Sequence, residues 1–219
     1  MSFHSPLIGR DQNLMDLKAR LDRAIGGEGG LVFLSGEAGI GKTRLTQEFR
    51  EYGRSRNVEF LTGGCIYNEG ADPYLPFADV LREYFGIDRS DSDLLKARKI
   101  KKTFEEKAPE LTDVEPAVES FLVRGGVPAS TTEEHAARRS QLFWAVLRTL
   151  IQGSTKRPLV LLIEDLHWAD TATLELLDYV ARGIRGHRIL MVGTYRPEDL
   201  LAPEPGAWSL EPGAWEFSL

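Results

Sequence analysis

With 219 residues, 42% of them hydrophobic and 27% charged, the chain has the balance of a globular protein and the length to bury a full core. Its net charge of −6 excludes a general electrostatic grip on nucleic acid, and its single cysteine, Cys65, excludes an intramolecular disulfide and an all-cysteine metal site. Met1 to Pro6 has neither a basic segment nor an apolar stretch, the run Leu159 to Ile163 is too short to span a bilayer, and the 4 histidines (His4, His135, His167, His187) show no metal-ligand spacing. A soluble, cytoplasmic protein is expected.

In chain order, Leu14, Leu17, Leu21 and Ile25 recur at helical spacing and predict a first helix, ended by Gly26-Gly27-Glu28-Gly29-Gly30. Leu31 to Ser35 predicts a buried strand. Thr43 to Tyr52 predicts a helix with Leu45, Phe49 and Tyr52 on one face, and Val58 to Thr62 a second strand, with Cys65 a small buried residue at its end. Asn68 to Pro73 reads as an exposed loop and Phe77 to Phe85 as a short helix. From Ser90 to Thr155 the pattern is helical, broken at Pro109, Pro116 and Gly125 to Pro128, with Leu142, Val146 and Leu150 lining the last helix. These helices, about 77–155, form an insertion rather than a second sheet domain. The basic run Lys96 to Lys102 within them reads as a solvated helix face.

Pro158 opens Leu159 to Ile163, a continuous apolar strand of the kind buried on both faces of a parallel sheet. Asp170 or Thr171 caps the next helix, whose apolar stripe is Leu174, Leu177, Val180, Ala181 and Ile184. Ile189 to Gly193 predicts a fourth strand. Alternating strands and helices predict an α/β sandwich with a mostly parallel sheet, in which ligands lie outside the carboxyl ends of the strands.

The run Gly36-Glu37-Ala38-Gly39-Ile40-Gly41-Lys42-Thr43 fits G-x-x-x-x-G-K-[ST], a loop whose backbone N–H groups wrap a nucleotide's phosphates. It stands between a predicted strand and a predicted helix, as that chemistry requires. Gly36 and Gly41 permit close approach of the backbone, so the amides of Gly39, Gly41, Lys42 and Thr43 can point inward. Lys42 neutralises the β- and γ-phosphates, and Thr43 offers a hydroxyl to Mg²⁺ at the positive end of its helix. Glu164 and Asp165 follow the third strand directly, where both carboxylates emerge at the ligand edge as partners for a metal ion and an attacking water. Arg196 follows the fourth strand, within reach of a γ-phosphate. The bland readings are a glycine-rich turn, two solvated acids and a surface arginine.

With loop, acidic pair and arginine in this order, the chain resembles the AAA+ and STAND class of P-loop ATPases, particularly their origin-recognition-like AAA modules. Four segments carry the likeness, from about residue 7 to about residue 199: Leu7-Ile8-Gly9-Arg10-Asp11, Gly36 to Thr43 (Walker A), Leu159 to Asp170 (Walker B and its extension) and Gly193 to Pro197 (the sensor-1 region). The resemblance implies a three-layer P-loop sandwich over residues 1–199, with ATP and Mg²⁺ as ligands. It implies that Ile8, Gly9 and Arg10 lie against adenine, that Gly36 to Thr43 and Arg44 surround the phosphates, and that Lys42 and Arg196 act on the γ-phosphate. Glu164, with Thr43, then faces Mg²⁺, and Asp165 orients the water. Adenine over guanine rests on the resemblance; no Asn-Lys-x-Asp run is present.

The sequence also departs from the family's pattern. Glu164 and Asp165 reverse the commoner Asp and Glu, and Asp11 stands where Glu is usual, so slow hydrolysis is expected. His167 and Trp168 match the family's extension, or simply cap and pack. After Arg196 the family's helical lid and output domains do not follow. Residues 200–219 instead contain Glu204 to Trp208 repeated as Glu211 to Trp215, read as an extended or disordered tail, with Trp215 to Leu219 as an alternative fifth strand. The expected function is an ATP-dependent switch in regulation or signalling, its partners ATP or ADP and either a second copy or another protein. No membrane and no direct nucleic-acid contact are expected. The rivals are a non-catalytic nucleotide-binding interaction module and, more weakly, a small-molecule phosphotransferase.

Overall fold

Residues 10–67, 72–125, 133–199 and 215–218 are described by the computed structural model. The elements run α1 (Asp11–Ile25), β1 (Gly30–Ser35), α2 (Lys42–Ser55), β2 (Glu59–Gly64), α3 (Leu75–Phe85), α4 (Asp93–Lys107), α5 (Glu115–Arg124), α6 (Glu133–Lys156), β3 (Leu159–Glu164), α7 (Thr171–Gly183), β4 (Ile189–Tyr195) and β5 (Trp215–Ser218). The strands form one sheet in the order β2-β3-β4-β1-β5, parallel at every pairing. This is the predicted α/β class, with α3 to α6 as the helical insertion between β2 and β3. No helix among the described residues is long and apolar enough to cross a membrane.

Two cores flank the sheet, and the two-residue period of the strands assigns side chains to each. Val32, Leu34, Val160, Leu162, Leu190 and Val192 face Leu17 and Leu21 of α1 and Leu45 and Phe49 of α2. Their neighbours Leu31, Phe33, Leu161, Ile163, Ile189 and Met191 face the insertion helices and α7. Both faces are covered, so β3 reads as an unbroken apolar run rather than an alternating one.

Two local details differ from expectation. Pro116 does not interrupt a helix but lies in the first turn of α5, where the missing N–H leaves no hydrogen bond unmade. On α7, Leu174 is only half-buried, whereas Leu176 and Thr173 are fully buried beside Leu177, Val180 and Ala181. The expected break at Gly125 to Pro128 and the exposed loop at Asn68 to Pro73 lie largely outside the described residues, as does the Glu204 to Trp208 repeat. Trp215–Ser218 forms the fifth strand, in register with Val32 to Ser35.

The edge strand β2 is shielded in a specific way. Glu83 of α3 accepts the Thr62 N–H at 2.6 Å, and Arg50 of α2 donates to the Thr62 hydroxyl. A Cβ on Gly63 would meet the Pro76 carbonyl oxygen at 2.0 Å, so the close seating of α3 on β2 requires glycine there. A covered edge offers no open row of N–H groups for another strand.

Candidate functional site

The parallel sheet brings three chain segments to one edge. The loop after β1, the acidic pair at the end of β3 and the arginine after β4 all emerge at the carboxyl ends of their strands. Because β4 lies between β1 and β3, the segment carrying Arg196 leaves the sheet between the phosphate loop and Asp165.

The loop itself is built for anions. Gly41 has φ 106° and is the N-cap of α2, and Gly39 has φ 76°. No atom lies near a Cβ built at either glycine, so what fixes glycine there is the left-handed backbone rather than space. That conformation ends the loop on the first turn of α2, whose N–H groups have no intrahelical partner. The Lys42 ammonium donates to the carbonyls of Gly36 at 2.5 Å and Glu37 at 2.9 Å, which ties it across the loop. Glu37 to Ile40 and Thr43 are exposed.

An acidic side chain already lies on this loop. The Ala38 N–H donates to Glu198 Oε1 at 3.2 Å, from the 3₁₀ turn Pro197–Asp199 that follows β4. In the same turn Asp199 accepts from Arg196 Nη1 at 3.3 Å. Burial and the neighbouring Arg196 charge hold the Lys42 ammonium below the usual lysine range, while Glu198, Asp165 and Asp199 act in the opposite sense. Lys42, Arg196, Asp165, Glu198 and Asp199 therefore share one electrostatic neighbourhood.

The two acids of the pair take different positions. Asp165 turns out of β3 with φ 58° and ψ 45°, and its N–H donates to Thr194 Oγ1 of β4 at 3.1 Å. Its charge acts on Lys42. Glu164 is still within β3, where strand alternation puts it on the face of Val160 and Leu162, towards α2. Its carboxyl is pushed above the usual range by burial and by Asp165, with Arg50 of α2 as the opposing cation.

Beneath the arginine, the His167 side chain is 1% exposed and neither ring nitrogen makes a hydrogen bond. Nε2 lies 3.7 Å from Asp199 Oδ2, and the ring meets Trp168 edge-on at 5.5 Å. Burial lowers its affinity for a proton, with Arg196 and Lys42 adding to that and Asp165 and Asp199 opposing it. Trp168 packs edge-on with Tyr67 at 5.0 Å.

Of the other expected residues, Arg10 is the N-cap of α1, its carbonyl accepting from Leu14 N at 3.0 Å. Arg44 pairs with Glu48 one turn along α2 at 2.5 Å. Ile8 and Gly9 lie outside the described residues. Sequence reasoning missed Glu198, Asp199, Arg50 and the Thr194 hydroxyl. The available signal was a second acidic pair directly after Arg196-Pro197 at the ligand edge.

The donor chemistry fits a nucleotide with a hard divalent cation: the Ala38 N–H already holding a carboxylate, the N–H groups of the first turn of α2, the Thr43 hydroxyl and the carboxylates of Glu164 and Asp165. Among the described residues no group of three or more His, Cys, Asp or Glu could hold a metal alone. Magnesium ordinarily completes such a site with phosphate oxygens and water.

The chain is similar to several known proteins. An uncharacterized protein of Rhizobium meliloti (strain 1021) is 29% identical over 212 residues, which is 94% of this chain and 20% of that protein. The chain thus spans about a fifth of the length of the curated relative it matches. A solved structure of Drosophila ORC bound to GC-rich DNA and Cdc6 superposes with a TM-score of 0.42 at 14% identity, covering 99% of this chain and 60% of that one. VirB4 of Thermoanaerobacter pseudethanolicus superposes at 0.33 and 14% identity, covering 80% of this chain and 71% of that one. Residues 6–192 match the AAA ATPase domain family. The chain belongs to that family of ATPase-type nucleotide-binding domains.

Proposed function

We propose that this domain binds ATP at Gly36 to Thr43, hydrolyses it slowly and serves as a cytoplasmic nucleotide switch in regulation or signalling. The observation that carries the reading is that Asp165 and Arg196, at the ends of two strands, act on Lys42 at the start of α2, beside a loop whose Ala38 N–H donates to an anion. Phosphoryl transfer to water needs positioning and charge neutralisation more than covalent chemistry from the protein. The loop amides and the helix they begin hold the phosphates. Lys42, released from the carbonyls of Gly36 and Glu37, neutralises the β- and γ-oxygens.

Asp165 holds the water. Its N–H is held by the Thr194 hydroxyl, which fixes the point at which the side chain leaves the strand. Arg196 counters the charge that grows on the terminal phosphate. Thr43 and Glu164 would hold Mg²⁺, which would supply further charge neutralisation at the phosphates. Burial makes an ionised Glu164 costly, and Arg50 and a cation both relieve that cost.

Phosphate release at several protein concentrations tests the reading. Slow turnover is expected in the wild type, rising with concentration if copies assemble. Asp165→Asn should retain ATP binding and lose about 100-fold or more in turnover, the scale of a lost general base. Absence of turnover in the wild type favours the non-catalytic module instead. Normal turnover in Asp165→Asn removes Asp165 from its role.

A further inference from the structure

The turn Pro197–Asp199 has no part in the mechanism above, yet among the described residues it sets an anionic side chain, Glu198, on the phosphate loop. Glu198 reaches across to the Ala38 N–H while its neighbours fix the turn behind it. Asp199 bonds to Arg196 through its carboxylate at 3.3 Å, and its N–H donates to the Arg196 carbonyl at 3.2 Å. The carboxylate thus lies on the same loop as the Lys42 ammonium and acts on it.

We propose that Glu198 is an internal competitor for the phosphate loop, so that nucleotide binding displaces its carboxylate from Ala38 and frees the Pro197–Asp199 turn. This rests on the nucleotide-binding reading and names how that site is regulated. One N–H donates to one anion at a time, and a carboxylate beside a phosphate adds like-charge repulsion. Both effects act against simultaneous occupancy.

Two further observations make the turn a two-state element. His167 lies under it with both ring nitrogens buried and without hydrogen bonds. The seated turn therefore carries a cost that its release relieves, because the ring can then be hydrated. The turn is also the start of the connection from β4 to β5, and these strands flank the loop-bearing strand β1 on opposite sides. A change at Glu198 is thereby placed on the covalent path from the nucleotide site to the far edge of the sheet.

The test compares ATP affinity, by calorimetry with Mg²⁺, in wild type and Glu198→Gln, which keeps the shape and removes the charge. About tenfold tighter binding is expected in the variant, the scale of one charge-assisted hydrogen bond that no longer has to be broken. Equal or weaker binding overturns the competition. If neither protein binds ATP, the nucleotide reading itself fails, whereas equal affinity in both removes only the role of Glu198. Hydrogen exchange on the wild type gives a second measure that needs no variant. Saturating ATP should speed exchange at the Asp199 amide, and unchanged or slower exchange there overturns the proposal.

Discussion

Asp165 is an acidic residue in the left-handed region, with φ 58° and ψ 45°. Aspartate tolerates that conformation better than most side chains, but it still costs on the order of 1 kcal/mol, and the Thr194 bond offsets it. A backbone held this way sets where the side chain leaves the strand. Cys65, just behind the site, is set by the opposite physics. Burial, followed by the charges of Asp170 and Asp165, pushes its thiol up to about 12. At pH 8 only about one thiol in ten thousand is then ionised, and the thiolate is the reactive form. Iodoacetamide should leave the folded protein unmodified at pH 8 and label it rapidly in urea; fast labelling of the folded form would contradict the burial. Stability linked to this thiol is present below about pH 9 and lost as pH rises towards 12. At this scale the sequence disclosed Lys42, Asp165 and Arg196 through motif and order. Glu198 was not legible, because an acid in a turn after a strand is ordinarily solvated, and only the fold returns it to Ala38.

Among the elements, α7 shows how one cap orders several neighbours. Asp170 accepts the Thr173 N–H at 2.8 Å and the Thr173 hydroxyl at 2.7 Å. That hydroxyl oxygen in turn accepts the Tyr74 N–H, just before α3, at 3.1 Å. The cap therefore joins α7 to the N-cap residue of α3. Asp170→Ala should cost about 1–2 kcal/mol in urea unfolding, the range of N-cap losses; a change below a few tenths would show that water replaces the cap. Helices and strands were readable wherever the apolar pattern was clear, as in α1, α2 and β3. Leu176 was not assigned to the buried face because α7 contacts both α6 and α3, which widens the covered stripe. Pro116 was read as a break because a proline's effect depends on which turn of the helix it occupies, and composition alone does not say.

Across the whole molecule, strand order is what creates the site. Four apolar strands were visible in the sequence, but nothing local states that β4 inserts between β1 and β3 or that Trp215–Ser218 pairs with β1. Those facts come from long-range burial, which period and propensity do not encode. The resulting edge gathers the acid and the arginine with a loop more than a hundred positions earlier in the chain. The account stands or falls on that edge binding nucleotide, and Lys42 is the cation tied across its loop. The direct measurement is Mg²⁺-ATP titration of wild type and Lys42→Ala, both shown to be folded by circular dichroism. Saturable binding by the wild type and a loss on the order of a hundredfold or more in the variant are expected, the scale of removing one partner of a desolvated charge pair. Undiminished ATP affinity in Lys42→Ala, or none in the wild type and in Glu198→Gln, would contradict it.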